Sequence, residues 1–229
     1  MQLIIGNKNY SSWSMRPWVL LRQAGIAFEE VKVRFDSFAA DSTFKAQLNA
    51  VSPVGKVPVL VLDGGHAVWD TLAIAETVAE LFPAAQLWPA EPHARARARS
   101  VCAELHSGFV PLRSHFPMNI EAALPEVGAR VLAEQPAVRA DLDRLFAMWT
   151  ELLQAHGGPL LFDHFTIADA MYAPVVMRLV TYGVPLPAPV AAYVAAVQAL
   201  PGVAAWVADA RAEHDFLDFE EPYREAPTP

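Results

Sequence analysis

Three serines lie close together where an apolar segment near the start of the chain gives way to a helical pattern. They are Ser11, Ser12 and Ser14, and Pro17 follows them. Serine is a preferred helix N-cap and proline suits a first helical turn, so capping alone explains the cluster. The same helix start, with exposed N–H groups, a positive dipole end and a serine hydroxyl, can also bind a thiolate. Both interpretations remain open at this point.

A proline at the entrance of a predicted strand gives a second candidate. Pro58 follows Val57 and precedes the apolar run Val59-Leu60-Val61-Leu62. Because proline has no N–H to donate to a β-ladder, the backbone of Val57 is left free to bind something other than protein. A cis bond here would turn its N–H and C=O outward, a pair that can hold an extended peptide. Only about 5–6% of X-Pro bonds are cis, so this segment alone favours trans.

A third candidate lies at the start of a further predicted helix. Asp70 and Thr71 offer a carboxylate, a hydroxyl and free N–H groups there, although capping again suffices as an explanation. Together, the three features suit one ligand, a small thiol peptide. The serines would hold its thiol, Val57 its peptide backbone, and the Asp70-Thr71 pair the ammonium and carboxylate of an amino-acid end.

Hydrophobic periodicity and turn residues define the elements that must position these groups. The first part of the chain alternates strands and helices in the order βαβαββα, with a two-residue hairpin turn at Gly64-Gly65. This order predicts a small mixed sheet with helices packed on it. The predicted strands are 3–5, 30–34 and a pair flanking the turn, with helices over 15–24, 43–48 and 71–82.

The remainder of the chain has a helical pattern after a proline-rich passage. The prediction is therefore an N-terminal domain at 1–82, a linker at 83–92 and an all-helical domain at 93–229. The segment from Thr166 to Asp169 has the form of a capping box, for which a structural role is expected. The acidic tail from 215 to 229 is expected to be draped or disordered rather than functional. The predicted helices are 93–116, 137–155, 167–181, 190–199 and 203–213.

Composition limits the partners and the compartment. The 229 residues are 54% hydrophobic, enough for a substantial core, and carry a net charge of −8. That charge argues against nucleic acid or an anionic membrane as a partner. The single Cys102 excludes an internal disulfide framework and indicates a reducing compartment. With no apolar run long enough to cross a membrane and no signal-peptide pattern, a cytoplasmic location is expected. The seven histidines lack metal-ligand spacing, so no metal is expected.

Taken in order, four segments resemble the cytosolic glutathione transferases over nearly the whole chain. The resemblance implies a thioredoxin-like first domain, a helical second domain, a homodimer, and glutathione as co-substrate. It also implies a cis Val57–Pro58 bond, with Val57 pairing to the cysteinyl part of glutathione and Asp70 and Thr71 holding the γ-glutamyl part. Lys45 and Lys56 are assigned to the same glutathione-binding set. The segments are Ser11 to Arg16, Asn49 to Pro58, Asp70 to Ile74, and Thr166 to Asp169.

Within that family, the helix start is similar to the serine-type classes, especially zeta, whose motif reads Ser-Ser-Cys-Ser-Trp-Arg. Trp13 stands here where that motif has cysteine. Aligning Arg16 with the family arginine places Ser11 at the catalytic serine, while Ser12 and Ser14 remain alternatives.

The electrophile pocket is expected on the first helix of the second domain, across a cleft from Ser11. Positions 106, 109 and 113 recur at helical spacing and would share one face. Arg113 suggests an acceptor that carries a carboxylate or another anionic group. The candidate residues are His106, Phe109, Arg113 and His115, with Phe116, Met118 and Asn119 beside them.

The leading functional hypothesis is conjugation of glutathione to a small electrophile. A related enzyme hypothesis is a zeta-type, glutathione-dependent isomerisation of maleylacetoacetate. The alternative from another class is a binding protein that keeps the fold without turnover.

Overall fold

The N-terminal part is a four-stranded mixed sheet with three helices, seen in a computed structural model that describes residues 1–226. The strand order is β2-β1-β3-β4, with β1 and β2 parallel and the other pairs antiparallel. The βαβαββα order is thereby confirmed. The strands are β1 (Gln2–Ile5), β2 (Glu29–Lys32), β3 (Val59–Val61) and β4 (Ala67–Trp69), and the helices are α1 (Ser12–Gln23), α2 (Thr43–Asn49) and α3 (Thr71–Leu81).

The hairpin between β3 and β4 turns one residue earlier than predicted. The Gly65 N–H donates to the Leu62 carbonyl at 2.9 Å, which makes Asp63 and Gly64 the central residues of the turn. Both glycines have positive φ, 91° for Gly64 and 86° for Gly65. The prediction of a two-residue Gly64-Gly65 turn was wrong, because Gly65 follows the two central residues of the turn and leads into the second strand of the hairpin.

The C-terminal part is helical, as predicted, after a short 3₁₀ turn at Pro83–Ala85. Helix α6 was not predicted, because it is a short segment enclosed between Pro125 and Pro136. A second 3₁₀ turn, Asp218–Glu220, lies in the tail. The helices are α4 (Pro92–Ser107), α5 (Val110–His115), α6 (Pro125–Glu134), α7 (Pro136–His156), α8 (Ile167–Thr181), α9 (Ala188–Ala199) and α10 (Pro201–Glu213).

The single helix predicted over 93–116 is broken into α4 and α5. Helix α4 ends at Ser107, and Phe109 adopts a left-handed conformation with φ 54°. Pro111 explains the break, since a proline in a helix interior removes one hydrogen bond and clashes with the carbonyl four residues earlier. The expectation that residues 106, 109 and 113 share one helix face was therefore wrong.

Helix α8 packs in the centre of the molecule, against α1 and α4. Its start is the predicted capping box: the Asp169 carboxylate accepts from the Thr166 N–H at 2.9 Å and from the Leu161 N–H at 3.2 Å. Helix α10 also packs on α1, where the Trp18 and Trp206 rings lie 5.3 Å apart. The two domains thus share one continuous core, which fixes the position of α1 relative to the helical domain.

The acidic tail lies on the body of the protein, as far as residue 226. Leu217 is buried, and Glu221 accepts hydrogen bonds from the Tyr10 hydroxyl at 2.7 Å and the Asn119 amide at 2.8 Å. The expectation that the tail is draped holds over 215–226, and 227–229 lie outside the described residues.

No single helix among residues 1–226 has both the length and the apolar composition needed to cross a membrane. The pair α9 and α10 meets these requirements only when counted together, and the two helices are bent by 72°.

Candidate functional site

Two adjoining cavities lie between the start of α1, the loop before β3 and the helical domain. The larger cavity has a volume of about 410 Å³ and the smaller one about 370 Å³. Trp13, Lys56 and Val57 line both of them, so the two form one continuous surface. Cavities of this size accommodate small organic ligands.

Ser11 caps α1 and lines the larger cavity. Its oxygen accepts from the Ser14 N–H at 3.4 Å and lies 2.7 Å from the Ser14 hydroxyl oxygen. Ser14 is fully buried, accepts from the Gly6 N–H at 3.1 Å, and does not line either cavity. The cluster therefore separates into Ser11, which faces the cavity, and Ser14 behind it.

Ser12 is in the first turn of α1 and also lines the larger cavity. Its hydroxyl makes no hydrogen bond with any part of the chain between residues 1 and 226, and it is not sealed from solvent. Ser12 is thus a second hydroxyl available to a ligand.

The Val57–Pro58 bond is cis. Both residues line the smaller cavity, and Val57 extends into the larger one. Lys45 of α2 donates to the Gly55 carbonyl at 2.7 Å and so ties α2 to this loop. Lys56 is exposed at the junction of the two cavities.

Asp70 and Thr71 lie at the far end of the smaller cavity. Asp70 caps α3 by accepting from the Leu72 N–H at 2.9 Å, and its other oxygen lies 3.2 Å from His106 Nε2. The Thr71 hydroxyl oxygen is buried and has no partner within the described residues. A buried hydroxyl of this kind is costly unless a ligand or a water satisfies it.

The four residues expected to line the electrophile pocket are dispersed by the break between α4 and α5. Arg113 lines the larger cavity as expected, but His106 lines the smaller one, beside Asp70. Phe109 is buried, and His115 contacts the tail, where its carbonyl accepts from the Tyr223 hydroxyl at 3.0 Å. Neither of these two lines a cavity, because the helix that was to carry them changes direction at Gly108.

The three neighbouring candidates also separate. Met118 lines the larger cavity, whereas Phe116 is buried against Tyr182 with the ring centroids 4.4 Å apart. Asn119 is buried as well, and its amide bonds Asn9 and Glu221.

Several residues of the larger cavity were missed by the sequence analysis. Phe35, Phe38 and Phe44 form an aromatic wall, with Phe35 and Phe44 centroids 5.0 Å apart. Arg178 comes from α8 and Glu220 from the tail. Arg178 had a usable signal, since an arginine in an otherwise apolar helix is costly to bury without a partner. Glu220 had no sequence signal, because only the tertiary fold brings the tail to the cavity.

Three arginines lie close together beside the cavities. The guanidinium carbon of Arg16 is 4.1 Å from the Trp13 ring centroid and that of Arg113 is 4.9 Å from it. Burial, together with repulsion from Arg113, lowers the pKa of Arg16 to about 9 and that of Arg178 to about 10. Guanidinium groups remain protonated at neutral pH, so the shifts reflect mainly the cost of burying these charges and, secondly, their mutual repulsion.

No group of three or more histidine, cysteine or carboxylate side chains within residues 1–226 is arranged to hold a metal ion. Cys102 is buried, and burial raises its pKa, so it is not a reactive thiolate.

A thioredoxin-like domain with a cis-proline loop, packed on an all-helical domain beside two adjoining cavities, defines the architecture of the two-domain glutathione transferases. The chain belongs to the glutathione S-transferase family. Its residues 10–81 match the model of the N-terminal domain of that family, and residues 121–209 match the model of the C-terminal domain.

The chain is similar to curated relatives at low identity. It is 27% identical to a zeta-class glutathione S-transferase from Euphorbia esula, over 75% of this chain and 73% of that protein. It is 27% identical to maleylacetoacetate isomerase from Rattus norvegicus, over 77% of each chain. Among solved structures, a glutathione transferase homolog from Burkholderia, with bound glutathione, superimposes with a TM-score of 0.69 at 27% identity, covering 92% of this chain and 98% of that one.

Proposed function

We propose that this protein is a glutathione transferase that joins the sulfur of glutathione to a small electrophile, with a glutathione-binding domain at 1–82 and a helical domain from 93 onward. The observation that carries the proposal is the continuity of the two cavities. Trp13, Lys56 and Val57 line both, so the α1 serines at one end are connected to Asp70 and Thr71 at the other.

This surface matches the functional groups of glutathione. The γ-glutamyl ammonium and carboxylate would contact Asp70 and the start of α3, where the Thr71 hydroxyl lacks a partner among the described residues. The cysteinyl backbone would pair with Val57, and the glycyl carboxylate would lie near the ammonium groups of Lys45 and Lys56. The thiol would then be at the start of α1.

The serines would act by stabilising the thiolate, since the thiolate is the nucleophile. Lowering a thiol pKa by about two units requires about 2.7 kcal/mol of preferential binding of the anion. A hydrogen bond to a charged acceptor contributes about 1.5–3 kcal/mol, and a helix N-terminus about 0.3–1 kcal/mol. A single serine on α1 is therefore sufficient. We propose Ser11 as the donor, with Ser12 as the alternative.

A second candidate, the glutathione-dependent isomerisation of maleylacetoacetate, is favoured by the relatives that carry this name. Trp13 stands at the position of the cysteine in the zeta motif and lines both cavities. The two activities differ in outcome, because conjugation consumes glutathione whereas isomerisation leaves its concentration unchanged.

We also propose a cytoplasmic homodimer. The location is supported by the single buried cysteine, which suits a reducing compartment. Val54 and Trp69, each 41% exposed, leave apolar surface at the edge of the smaller cavity that a second subunit could cover. Sedimentation or light scattering would give the mass directly, and a monomeric mass at micromolar concentration would contradict the dimer.

The test begins with binding. Millimolar glutathione should raise the melting temperature, because a ligand that binds only the native state stabilises it. Asp70→Asn keeps a good helix cap but removes the charge, and should reduce this shift. Glu80→Gln, at an exposed position on the same helix, is the matched control and should not. If glutathione gives no shift in the unmodified protein, the transferase and the isomerase are both wrong.

Turnover then separates the candidates. An aryl halide should be conjugated with loss of free thiol, while maleylacetoacetate should be the better substrate if isomerisation is the function. Binding of glutathione without turnover of either substrate would favour a binding protein.

A further inference from the structure

The larger cavity has an aromatic wall next to the catalytic end of the site. Phe35, Phe38 and Phe44 are mutually in contact, with ring centroids 5.0 to 5.9 Å apart. Ser11 and Ser12 line the same cavity. Aromatic rings pack on one another in edge-to-face or offset arrangements at these distances, so the wall can bind a planar ring in reach of the thiolate.

Two arginines line the same cavity without carboxylate partners. Arg178 is 6% exposed, and its Nη1 donates to the Phe116 and Arg113 carbonyls. Its Nε and Nη2 donate to no acceptor within residues 1–226, and Arg178 lines the cavity. Arg113 makes a single long bond of 3.4 Å from Nη1 to the Gly108 carbonyl. Both guanidinium groups therefore retain N–H groups that could donate hydrogen bonds to an anion in the cavity.

The electrostatic surroundings favour an anion there. Burial, with a second contribution from repulsion by Arg113, lowers the pKa of Arg178 to about 10. An anionic group in the cavity would relieve this repulsion, and planar guanidinium groups bind carboxylates in a bidentate manner.

Glu220 opposes this preference. Among the described residues that line the larger cavity, Glu220 is the only acidic one. When ionised it offsets the two arginines and repels an anionic ligand, and when protonated it can donate a hydrogen bond. The charge of this one carboxyl group therefore controls how positive the cavity is.

We infer that the acceptor bound by the larger cavity is an aromatic electrophile that carries an anionic group such as a carboxylate. Its ring packs on the phenylalanine wall and its anion is bound by Arg113 and Arg178, while ionised Glu220 weakens that binding. The inference rests on the proposed transferase function.

A matched pair of acceptors tests it, 4-chloro-3,5-dinitrobenzoate and the corresponding neutral benzamide. In both, the glutathione thiolate forms a carbon–sulfur bond at the chlorinated carbon, and chloride leaves with the electron pair of the broken bond. The measured quantity is the ratio of kcat/KM for the benzoate to that for the benzamide.

Arg113→Met should lower this ratio about tenfold, the loss expected for one charge-assisted hydrogen bond, and Arg113→Lys should restore part of it. Glu220→Gln should change the ratio in the opposite direction, raising it a few-fold. Two exposed positions provide controls, Arg130→Met on α6 and Asp218→Asn in the tail, and both should leave the ratio unchanged. Equal effects of Arg113→Met on both acceptors would overturn the inference.

A binding measurement keeps this result separate from failure of the transferase proposal. Calorimetry with the glutathione-loaded protein should show 4-nitrobenzoate binding more tightly than 4-nitrobenzamide, with the difference lost in Arg113→Met. That result would support the inference even if neither chloride were displaced. Equal affinity for the two compounds would contradict the proposed preference for an anionic group. Binding of cyclohexanecarboxylate as tight as that of 4-nitrobenzoate would contradict the proposed preference for an aromatic ring.

Discussion

The hydroxyl oxygens of Ser11 and Ser14 lie 2.7 Å apart at the start of α1. The Gly6 N–H donates to Ser14 Oγ, and the Ser14 N–H is directed at Ser11 Oγ. The Ser11 hydroxyl donates to Ser14 Oγ. A thiolate in the cavity would compete for this proton, and once Ser11 donates to the thiolate, the Ser14 hydroxyl can donate to Ser11. Each bond in such a chain polarises the next, which makes Ser11 a better donor to a thiolate. Ser14 is then a positioning residue for Ser11.

Ser14→Ala should raise the pKa of the bound glutathione thiol and lower kcat, although Ser14 does not line either cavity. It should also lower the free energy of unfolding by about 1–3 kcal/mol, because the Gly6 N–H loses its acceptor. The ultraviolet absorbance of the thiolate, titrated against pH, measures the first effect, and denaturant unfolding measures the second. A stability loss with an unchanged thiol pKa would limit Ser14 to a structural role.

Ser11→Ala and Ser12→Ala distinguish the two hydroxyls that face the cavity. Ser11→Ala removes both the cap and the proposed donor, so we expect a loss of about 1 kcal/mol in stability and a rise of at least one unit in the thiol pKa. Ser12→Ala removes a hydroxyl that has no partner elsewhere in residues 1–226, so stability should be unchanged and the thiol pKa should rise less. The opposite order of thiol pKa values would make Ser12 the donor.

Glu220 should give the reaction a pH dependence that depends on the charge of the acceptor. Burial raises the pKa of this carboxyl group to about 7. It is therefore neutral in weak acid and ionised in weak base. As the pH rises through 7, the preference for an anionic acceptor over a neutral one should fall. Thiolate formation changes the rate with both acceptors equally. The ratio of their kcat/KM values therefore reports only the effect of the Glu220 charge.

Two arginines and one carboxylate near Glu220 keep their charge as the pH passes through 7. Arg113 and Arg178 stay protonated. Burial tends to raise the pKa of Glu221, but hydrogen bonds from Arg224 and Tyr10 lower it overall, so Glu221 stays ionised. Glu220→Gln should make the ratio independent of pH, and a ratio that still falls through pH 7 in this variant would contradict the assignment. The titratable and charged side chains that line the cavity with Glu220 are Tyr10, Lys45, Lys56, Arg113 and Arg178.

The sequence predicted the parts of the site that have local signals. Ser11, Pro58 and Asp70 lie where a helix or strand begins, and the residue types required there are recognisable over a few positions. Together they indicated a small thiol peptide as the ligand, and the resemblance to a known family then implied glutathione and the cis bond. The residues of the electrophile pocket were predicted poorly, because their positions depend on how the helices pack. Pro111 breaks the helix that was expected to carry it, and this moves His106 to the other cavity.

Residues far apart in the sequence complete the larger cavity. Arg178 reaches it because α8 crosses behind α1, and Glu220 because the tail returns to the N-terminal domain. Neither position follows from hydrophobic periodicity, which reports the buried face of a helix but not its neighbour. An arginine within the apolar α8 is the one signal that could have indicated a cavity.

Glu221 anchors the tail and so determines whether Glu220 reaches the cavity. Its carboxylate is buried and accepts from Tyr10 at 2.7 Å, Asn119 at 2.8 Å and Arg224 Nε at 2.9 Å. Its pKa in the folded protein is lowered, so its contribution to stability is present above the unfolded value and is lost as the pH falls through the folded value. The tail should therefore loosen in acid.

Glu221→Ala should release the tail at neutral pH and lower the free energy of unfolding by about 1–3 kcal/mol, because donors on Tyr10, Asn119 and Arg224 lose their acceptor. Limited proteolysis should then cleave within 214–226 faster than in the unmodified protein, whereas Glu225→Gln, at an exposed position in the same segment, should be cleaved at the original rate. Since Glu220 leaves the cavity with the tail, KM for an anionic acceptor should change. The affinity for glutathione should stay the same, because the proposed glutathione contacts are mainly in the N-terminal domain. Equal changes in both constants would show that the tail supports the whole site and not the acceptor side alone.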